Sequence, residues 1–124
     1  DEDFNGRWNP VGGAGWEHQV KQDVTLDFVG VELQGDDPEA LADLWARCTN
    51  LPLEHDAAGS PTIGFNNVVL RFVPAADGRG PGLGGLDIAV ADREHILREA
   101  KARKAYVSDD QVNICGTRWY LTDA

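Results

Sequence analysis

The chain has 124 residues, of which 42% are hydrophobic, so its length and composition suit one folded domain and exclude a disordered polypeptide. Its formal net charge of -10 opposes contact with nucleic acid phosphates and with anionic membrane surfaces, so we expect neither partner. No apolar run approaches the roughly 20 residues that cross a bilayer, and no N-terminal run has the form of a signal peptide. We therefore expect a cytoplasmic protein.

Residues 1–24 differ from the rest of the chain. The run 5–16 is rich in glycine and tryptophan and follows neither the helical nor the strand period. We predict that residues 1–24 form an extended arm or linker and that residues 25–124 form the folded domain. The arm contains Trp8 and Trp16, and burying each of them on this domain or on a partner would contribute roughly 2–3 kcal/mol.

A first structural unit follows the arm. Residues 26–34 predict a strand, and residues 36–39 (DDPE) predict a helix start, because Asp is a good N-cap and Pro suits the first helical position. Residues 62–66 and 68–73 predict two further strands, and residues 74–82 predict a connection. The apolar positions of the helix have helical spacing: Ala40, Leu41, Leu44, Trp45 and Cys48.

A second unit repeats the same order of elements. Residues 85–91 predict a strand, Asp92 predicts a helix cap, and residues 106–115 and 117–121 predict two closing strands. The apolar face of the second helix is predicted at Ile96, Leu97 and Ala100.

The two units match when they are aligned. Residues 31–34 align with 88–91, Asp36 with Asp92, Ala40 with Ile96, and residues 68–72 with 117–121. We therefore predict an α+β domain of two βαββ(β) modules related by a pseudo-twofold axis. Its curved mixed sheet would surround a concave cup, and both helices would lie on the convex face.

Three segments resemble glyoxalase-like domains of the vicinal-oxygen-chelate superfamily. They are residues 26–33 (LDFVGVEL) with the helix start after them, residues 83–90 (LGGLDIAV) with Asp92, and the closing run 115–121 (CGTRWYL). This superfamily includes glyoxalase I, extradiol dioxygenases, methylmalonyl-CoA epimerase, fosfomycin-modifying enzymes and bleomycin-binding resistance proteins. The resemblance covers residues 25–124 and implies a small-molecule site in the cup.

Many enzymes of this superfamily hold one divalent metal with a His on the first strand and a Glu on the last strand of each half. The resemblance places the two His positions at Phe28 and Gly85. It places one Glu position at Tyr120 and the other at or near Arg71. Phenylalanine, glycine and arginine are not usual metal ligands, and one tyrosine cannot make a site. Neither cysteine belongs to a C-x-x-C or Cys/His cluster. We therefore predict no metal site and no cofactor.

Strand alternation predicts which side chains line the cup. The predicted ligand-binding residues are Phe28, Glu32, Arg71, Asp87, Arg118 and Tyr120. Two interpretations are open for these charges. They form a polar pocket that holds an anionic small molecule with the arginines, or they pair with each other as a structural network.

Three functions follow from this site. The first is metal-independent small-molecule binding. The second is a lyase, isomerase or dioxygenase of the superfamily that acts on a small carbonyl or anionic substrate, with Glu32 or Asp87 as the candidate base or with a metal borrowed through another chain. The third is a structural half of a longer two-module protein. We also predict a homodimer, or pairing with another module of this superfamily.

Overall fold

The structure is a computed structural model that describes residues 13–124. A 3-10 helix, Gly13–Gln19, precedes two successive sets of elements. The first set is β1 (Thr25–Gly35), α1 (Pro38–Thr49), β2 (Glu54–His55), β3 (Pro61–Gly64) and β4 (Val69–Pro74). The second set is β5 (Gly82–Val90), α2 (Arg93–Ala102), β6 (Tyr106–Ser108), β7 (Gln111–Ile114) and β8 (Thr117–Asp123).

Both helices begin at an aspartate cap, as predicted. The Asp37 side chain accepts a hydrogen bond from the backbone N–H of Ala40 at 3.0 Å, and Asp92 accepts one from His95 at 2.9 Å. Because the first cap is Asp37, the alignment of Asp36 with Asp92 is wrong by one residue.

The eight strands form one mixed sheet in the order β2-β3-β4-β1-β5-β8-β7-β6. Strand β1 is parallel to β4, β5 is parallel to β8, and the antiparallel pair β1–β5 joins the halves at the centre. The order is the same when it is read outward from this pair in either direction. The predicted α+β fold with two pseudo-twofold modules and a curved sheet is therefore confirmed.

The predicted single strand 106–115 is wrong, because Asp109 and Asp110 interrupt it. Tyr106 pairs with Val112 and Ser108 pairs with Gln111, so this segment is a hairpin of β6 and β7. Aspartate favours turns because its side chain competes for nearby backbone hydrogen bonds. The turn adds a fourth strand to the second module, matching β2 in the first.

Each module packs its helix against one side of the sheet. In the first module, Ala42 of α1 lies in a core with Phe72 and Ile63, which are both fully buried. In the second module, Ile96 and Leu97 of α2 pack on a smaller buried cluster: Ile88, Val90 and Leu121. Burial of these side chains holds both helices on the convex face and leaves the other face of the sheet for polar groups.

The described part of the predicted arm is a short helix. Residues 13–19 form a 3-10 helix in which Trp16 is half-buried, whereas residues 1–12 and Trp8 lie outside the described residues. The division between an arm and a domain at residue 25 stays a prediction.

Over residues 13–124, no helix is long and apolar enough to cross a membrane.

Candidate functional site

Glu32 lies at the centre of the concave face. The residue is only 4% exposed, and its position on β1 places it between the last strands of both modules. One carboxylate oxygen accepts hydrogen bonds from Arg118 Nε at 2.9 Å and from Tyr120 Oη at 3.1 Å, and the other accepts one from Arg71 Nη2 at 3.1 Å. Three donors from two strands therefore compensate the burial of this charge.

Arg71 connects Glu32 to the second carboxylate of this face. Its Nη1 and Nη2 donate to the two oxygens of Asp87 at 2.8 and 3.0 Å, which is the bidentate geometry of a strong charged pair. Its guanidinium also lies 5.1 Å from the centre of the Tyr120 ring. The hydrogen bond to Asp87 is the main cause that raises the pKa of Arg71, so this side chain stays a cation.

Tyr120 has a raised pKa for two reasons. Partial burial of the phenol is the larger cause, and the negative charge of Glu32 adds to it. The phenol is therefore neutral at physiological pH and acts as a hydrogen-bond donor towards Glu32.

Arg118 extends the network towards the connection between the modules. Its Nη2 donates to Gln34 Oε1 at 2.8 Å, and its Nη1 donates to Asp77 Oδ2 at 3.0 Å. Gln34 Nε2 donates to Asp77 Oδ1 at 2.8 Å. A hydrogen bond from Arg79 is the largest cause of the strongly lowered pKa of Asp77, so this carboxylate is ionised.

Three glycines make room for these side chains. A Cβ atom at Gly30 would lie 2.1 Å from Asp87 Oδ2, and one at Gly84 would lie 2.2 Å from Arg118 Nη2. At Gly85, a Cβ atom would lie 2.8 Å from the backbone oxygen of Arg118. The absence of side chains at these positions is therefore a condition for the charged network.

Five of the six predicted site residues lie together on this face: Glu32, Arg71, Asp87, Arg118 and Tyr120. Gln34 and Asp77 also belong to this network but are not among the predicted ligand-binding residues. Strand alternation puts Gln34 on the same face as Glu32, so its position could be predicted from the sequence. The position of Asp77 could not, because side-chain direction in an irregular connection follows no period.

Phe28 does not belong to this cluster, and its predicted place on the concave face is wrong. The pairing of β1 with β5 shifts register between Phe28 and Gly30, so Phe28 lies opposite Ile88 of the second core. Its ring centre is 6.1 Å from that of Trp119, which packs on the same core. The extra residue in β1 reverses the alternation at this point.

The residues present do not fit a divalent metal. Arg71, Tyr120 and Gly85 stand at three of the four positions implied by the resemblance, and a guanidinium has no lone pair to donate. Over residues 13–124, no three His, Cys, Asp or Glu side chains are grouped as a possible metal site. Glu32 and Asp87 instead neutralise Arg71, so we derive no chemistry through a metal.

The arrangement offers two guanidiniums to the open side of the sheet. The side chains of Arg71 and Arg118 are 24% and 19% exposed, whereas that of Glu32 is 5% exposed. Their outward partners, Asp87 and Asp77, are also partly accessible. The face can therefore recognise a carboxylate that replaces one of these outer partners.

No family model and no curated protein sequence matches the chain. Solved structures do match. A methylmalonyl-CoA epimerase from Mycobacterium tuberculosis has a TM-score of 0.62 at 12% identity, over 86% of this chain and 93% of that one. A methylmalonyl-CoA epimerase in complex with methylmalonyl-CoA and NH4+ has a TM-score of 0.59 at 9% identity, over 81% and 95%.

A third similar structure is a hypothetical protein from Bacillus halodurans C-125, with a TM-score of 0.56 at 12% identity over 79% of this chain and 94% of that one. At such low identities these likenesses establish a common fold, and activity has to be argued from the site itself.

Proposed function

We propose that this chain, which has the glyoxalase-like vicinal-oxygen-chelate fold, binds a carboxylate-bearing small molecule on its concave face without a metal ion. Arg71 and Arg118 are the proposed recognition groups. Glu32 and Tyr120 hold them in position, and Asp87 and Asp77 are the carboxylates with which the ligand competes.

The convergence of two guanidiniums on the buried Glu32 is the observation that supports this proposal. A guanidinium fixed on one edge by a protein carboxylate keeps further N–H groups for a second carboxylate. Arg118 does this already, since it binds Glu32 through Nε and Asp77 through Nη1. An external carboxylate could bind Arg118 by accepting the same hydrogen bond from Nη1 that Asp77 accepts now.

One structural neighbour supports the choice of ligand class. That epimerase is in complex with methylmalonyl-CoA, a thioester that bears a free carboxylate. We include the same compound as a probe for this chain. Malonate is the smaller probe, because it presents carboxylates without a large group attached.

The catalytic alternative assigns a base to Glu32 or Asp87. A general base needs a lone pair directed at the proton it removes. Glu32 already accepts hydrogen bonds from Arg71, Arg118 and Tyr120, and Asp87 is bound on both oxygens by Arg71. This geometry favours binding over proton abstraction, so we propose a binding function.

Isothermal titration calorimetry with malonate and with methylmalonyl-CoA, in buffer that contains EDTA, tests the proposal. We expect the wild-type protein to bind both compounds and Arg118→Gln to bind malonate at least about tenfold more weakly, a loss of about 1.4 kcal/mol. Arg118→Lys should recover only part of this affinity, because lysine cannot bind two acceptors in the planar geometry of arginine.

The matched control is Arg47→Gln, which removes an exposed arginine of α1 that pairs with Asp43 far from this face. It should bind malonate as the wild type does, and the neutral analogue malonamide should not bind. Unchanged affinity in Arg118→Gln, or binding that requires an added divalent metal, would contradict the proposal. Absence of binding in a well-folded wild-type protein would favour the structural role.

The proposal extends to assembly and location. We propose a homodimer, or a pairing with another module of this fold, in the cytoplasm. Sedimentation that gives only a monomer at tens of micromolar would contradict the homodimer.

A further inference from the structure

We infer that Asp77 occupies the position that the ligand's carboxylate takes, between Arg118 and Gln34, and leaves it when the ligand binds. This inference rests on the proposed function and adds the position of the anionic group and the residue that competes for it. The segment concerned is the connection between β4 and β5, residues 75–81.

Two donors to the Asp77 carboxylate, Gln34 and Arg118, come from the strands, and the others, the backbone N–H and the side chain of Arg79, move with the connection itself. Gln34 lies on β1 and is only 1% exposed, and its Oε1 accepts from Arg118, which directs its Nε2 towards Asp77. Arg118 lies on β8 and is held by Glu32. The buried Glu32 therefore orients Arg118, and Arg118 orients Gln34, so both donors have partners on the sheet that remain when Asp77 leaves.

Polar contacts attach the connection to the sheet, and the contacts to Gln34 and Arg118 are hydrogen bonds. Asp77 is an exposed residue whose side chain alone turns inward, and Gln34 Nε2 also donates to the backbone oxygen of Gly80 at 2.7 Å. Gly78 and Gly80 adopt positive φ angles of 78° and 77° and face open space. Polar contacts hold this segment against the sheet, and such contacts exchange with solvent more readily than a packed core does.

Asp87, the other outer carboxylate, is fixed more firmly. It lies within the central strand β5, directly opposite Gly30, and both of its oxygens bind Arg71. Displacing its side chain would break both bonds to Arg71 on a strand that cannot move away. Of the two carboxylates on the open side, Asp77 is therefore the one that a ligand replaces.

The exchange has a measurable consequence for affinity. When a group of the same chain competes for the site, the apparent affinity equals the intrinsic affinity multiplied by the fraction of molecules whose site is free. If Asp77 occupies the site about nine-tenths of the time, its removal strengthens binding about tenfold. The ligand class is a carboxylate, because the site now holds one.

Calorimetric titration of Asp77→Ala with malonate tests this inference. We expect binding about tenfold tighter than in the wild type, and we expect Arg118→Gln in the same background to remove the gain. The matched control is Asp56→Ala, which also removes a loop aspartate that accepts a backbone N–H two residues on, at Ala58, as Asp77 does at Arg79. This control should bind malonate with wild-type affinity.

Hydrogen exchange of the wild-type protein gives a second measurement that needs no variant. Saturation with malonate should speed exchange in residues 75–81, because the connection loses its bonds to Arg118 and Gln34. Slower exchange there, or Asp77→Ala binding no tighter than the wild type, would overturn the inference. Wild-type binding that depends on Arg118 would still uphold the proposed function, whereas absence of such binding would reject both.

Discussion

The two halves of the domain carry equivalent side chains on their first strands, but they differ in the residue that the last strand contributes to the site. Gly30 and Glu32 on β1 correspond to Gly85 and Asp87 on β5, since Gly30 lies opposite Asp87 and Glu32 lies opposite Gly85. Each strand therefore supplies a carboxylate and a glycine. Gly30 makes room for the Asp87 carboxylate of the other half, whereas Gly85 makes room for Arg118 and Tyr120 of the last strand beside it.

The last strands break this correspondence. Glu32 is paired with Arg71 on β4, and Asp87 is paired with Tyr120 on β8. One half thus contributes a guanidinium where the other contributes a phenol, and the ring of Tyr120 lies against the guanidinium of Arg71. The two halves therefore keep the same backbone and the same glycine positions, and the residue on the last strand of each half determines the chemistry of the site.

The first prediction compares the two equivalent carboxylates. Glu32→Gln should lower the free energy of unfolding by about 3 kcal/mol, because Arg71 and Arg118 both lose a buried anion. Asp87→Asn should cost about 1 kcal/mol, since Arg71 keeps Glu32. Urea denaturation of both variants measures the difference.

Asp43→Asn is the control for this pair, because Asp43 forms an exposed salt bridge with Arg47 on α1. Its effect should stay under about 0.5 kcal/mol. Equal losses for Glu32→Gln and Asp87→Asn would mean that the two halves share the network evenly, contrary to the geometry.

The second prediction compares the two equivalent glycines. Gly85→Ala should cost about 2 kcal/mol, because the new methyl group meets the backbone of Arg118, which cannot rotate away. Gly30→Ala should also cost about 2 kcal/mol, because turning the Asp87 carboxylate aside gives up both bonds to Arg71 and still leaves Asp87 Cβ 2.9 Å from the new methyl group. Gly64→Ala, on a strand with open space around it, should leave stability nearly unchanged.

The third prediction has the smallest effect and concerns the phenols. In Tyr106→Phe, Tyr120 is the remaining tyrosine, and it should titrate above the ordinary value of about 10 when tyrosinate absorbance is followed. A pKa that is higher in the folded state stabilises the fold below about pH 10, and this stability is lost as pH rises through the folded pKa. A normal titration of Tyr120 would show that burial and Glu32 do not act on it.

Local sequence signals accounted for most of the fold. The Asp-Pro pair at Asp37 and the single Asp92 located both helix starts, and the repeated order of elements predicted the two-module fold that the structure confirms. The hairpin within residues 106–115 was missed because the turn signal of Ser108, Asp109 and Asp110 was outweighed by the apolar positions on either side of it.

Alternation along the strands placed Glu32, Arg71 and Tyr120 on one face correctly. It failed at Phe28, because a register shift moves a side chain to the opposite face without leaving a periodic signature. It also gave no access to Asp77, whose direction is set by contacts with Arg118 and Gln34 across more than 40 residues of sequence.

The ends of the sheet have a consequence for behaviour at high concentration. The two outermost strands, β2 and β6, contain only two and three residues. Long exposed edges recruit strands from other molecules and start aggregation, and such short edges offer few free hydrogen-bonding groups for this. A protein with this sheet should therefore resist fibre formation. Its predicted dimer would have to rely on other surfaces, such as the exposed Leu44 and Trp45 of α1, since extension of the sheet offers few new bonds.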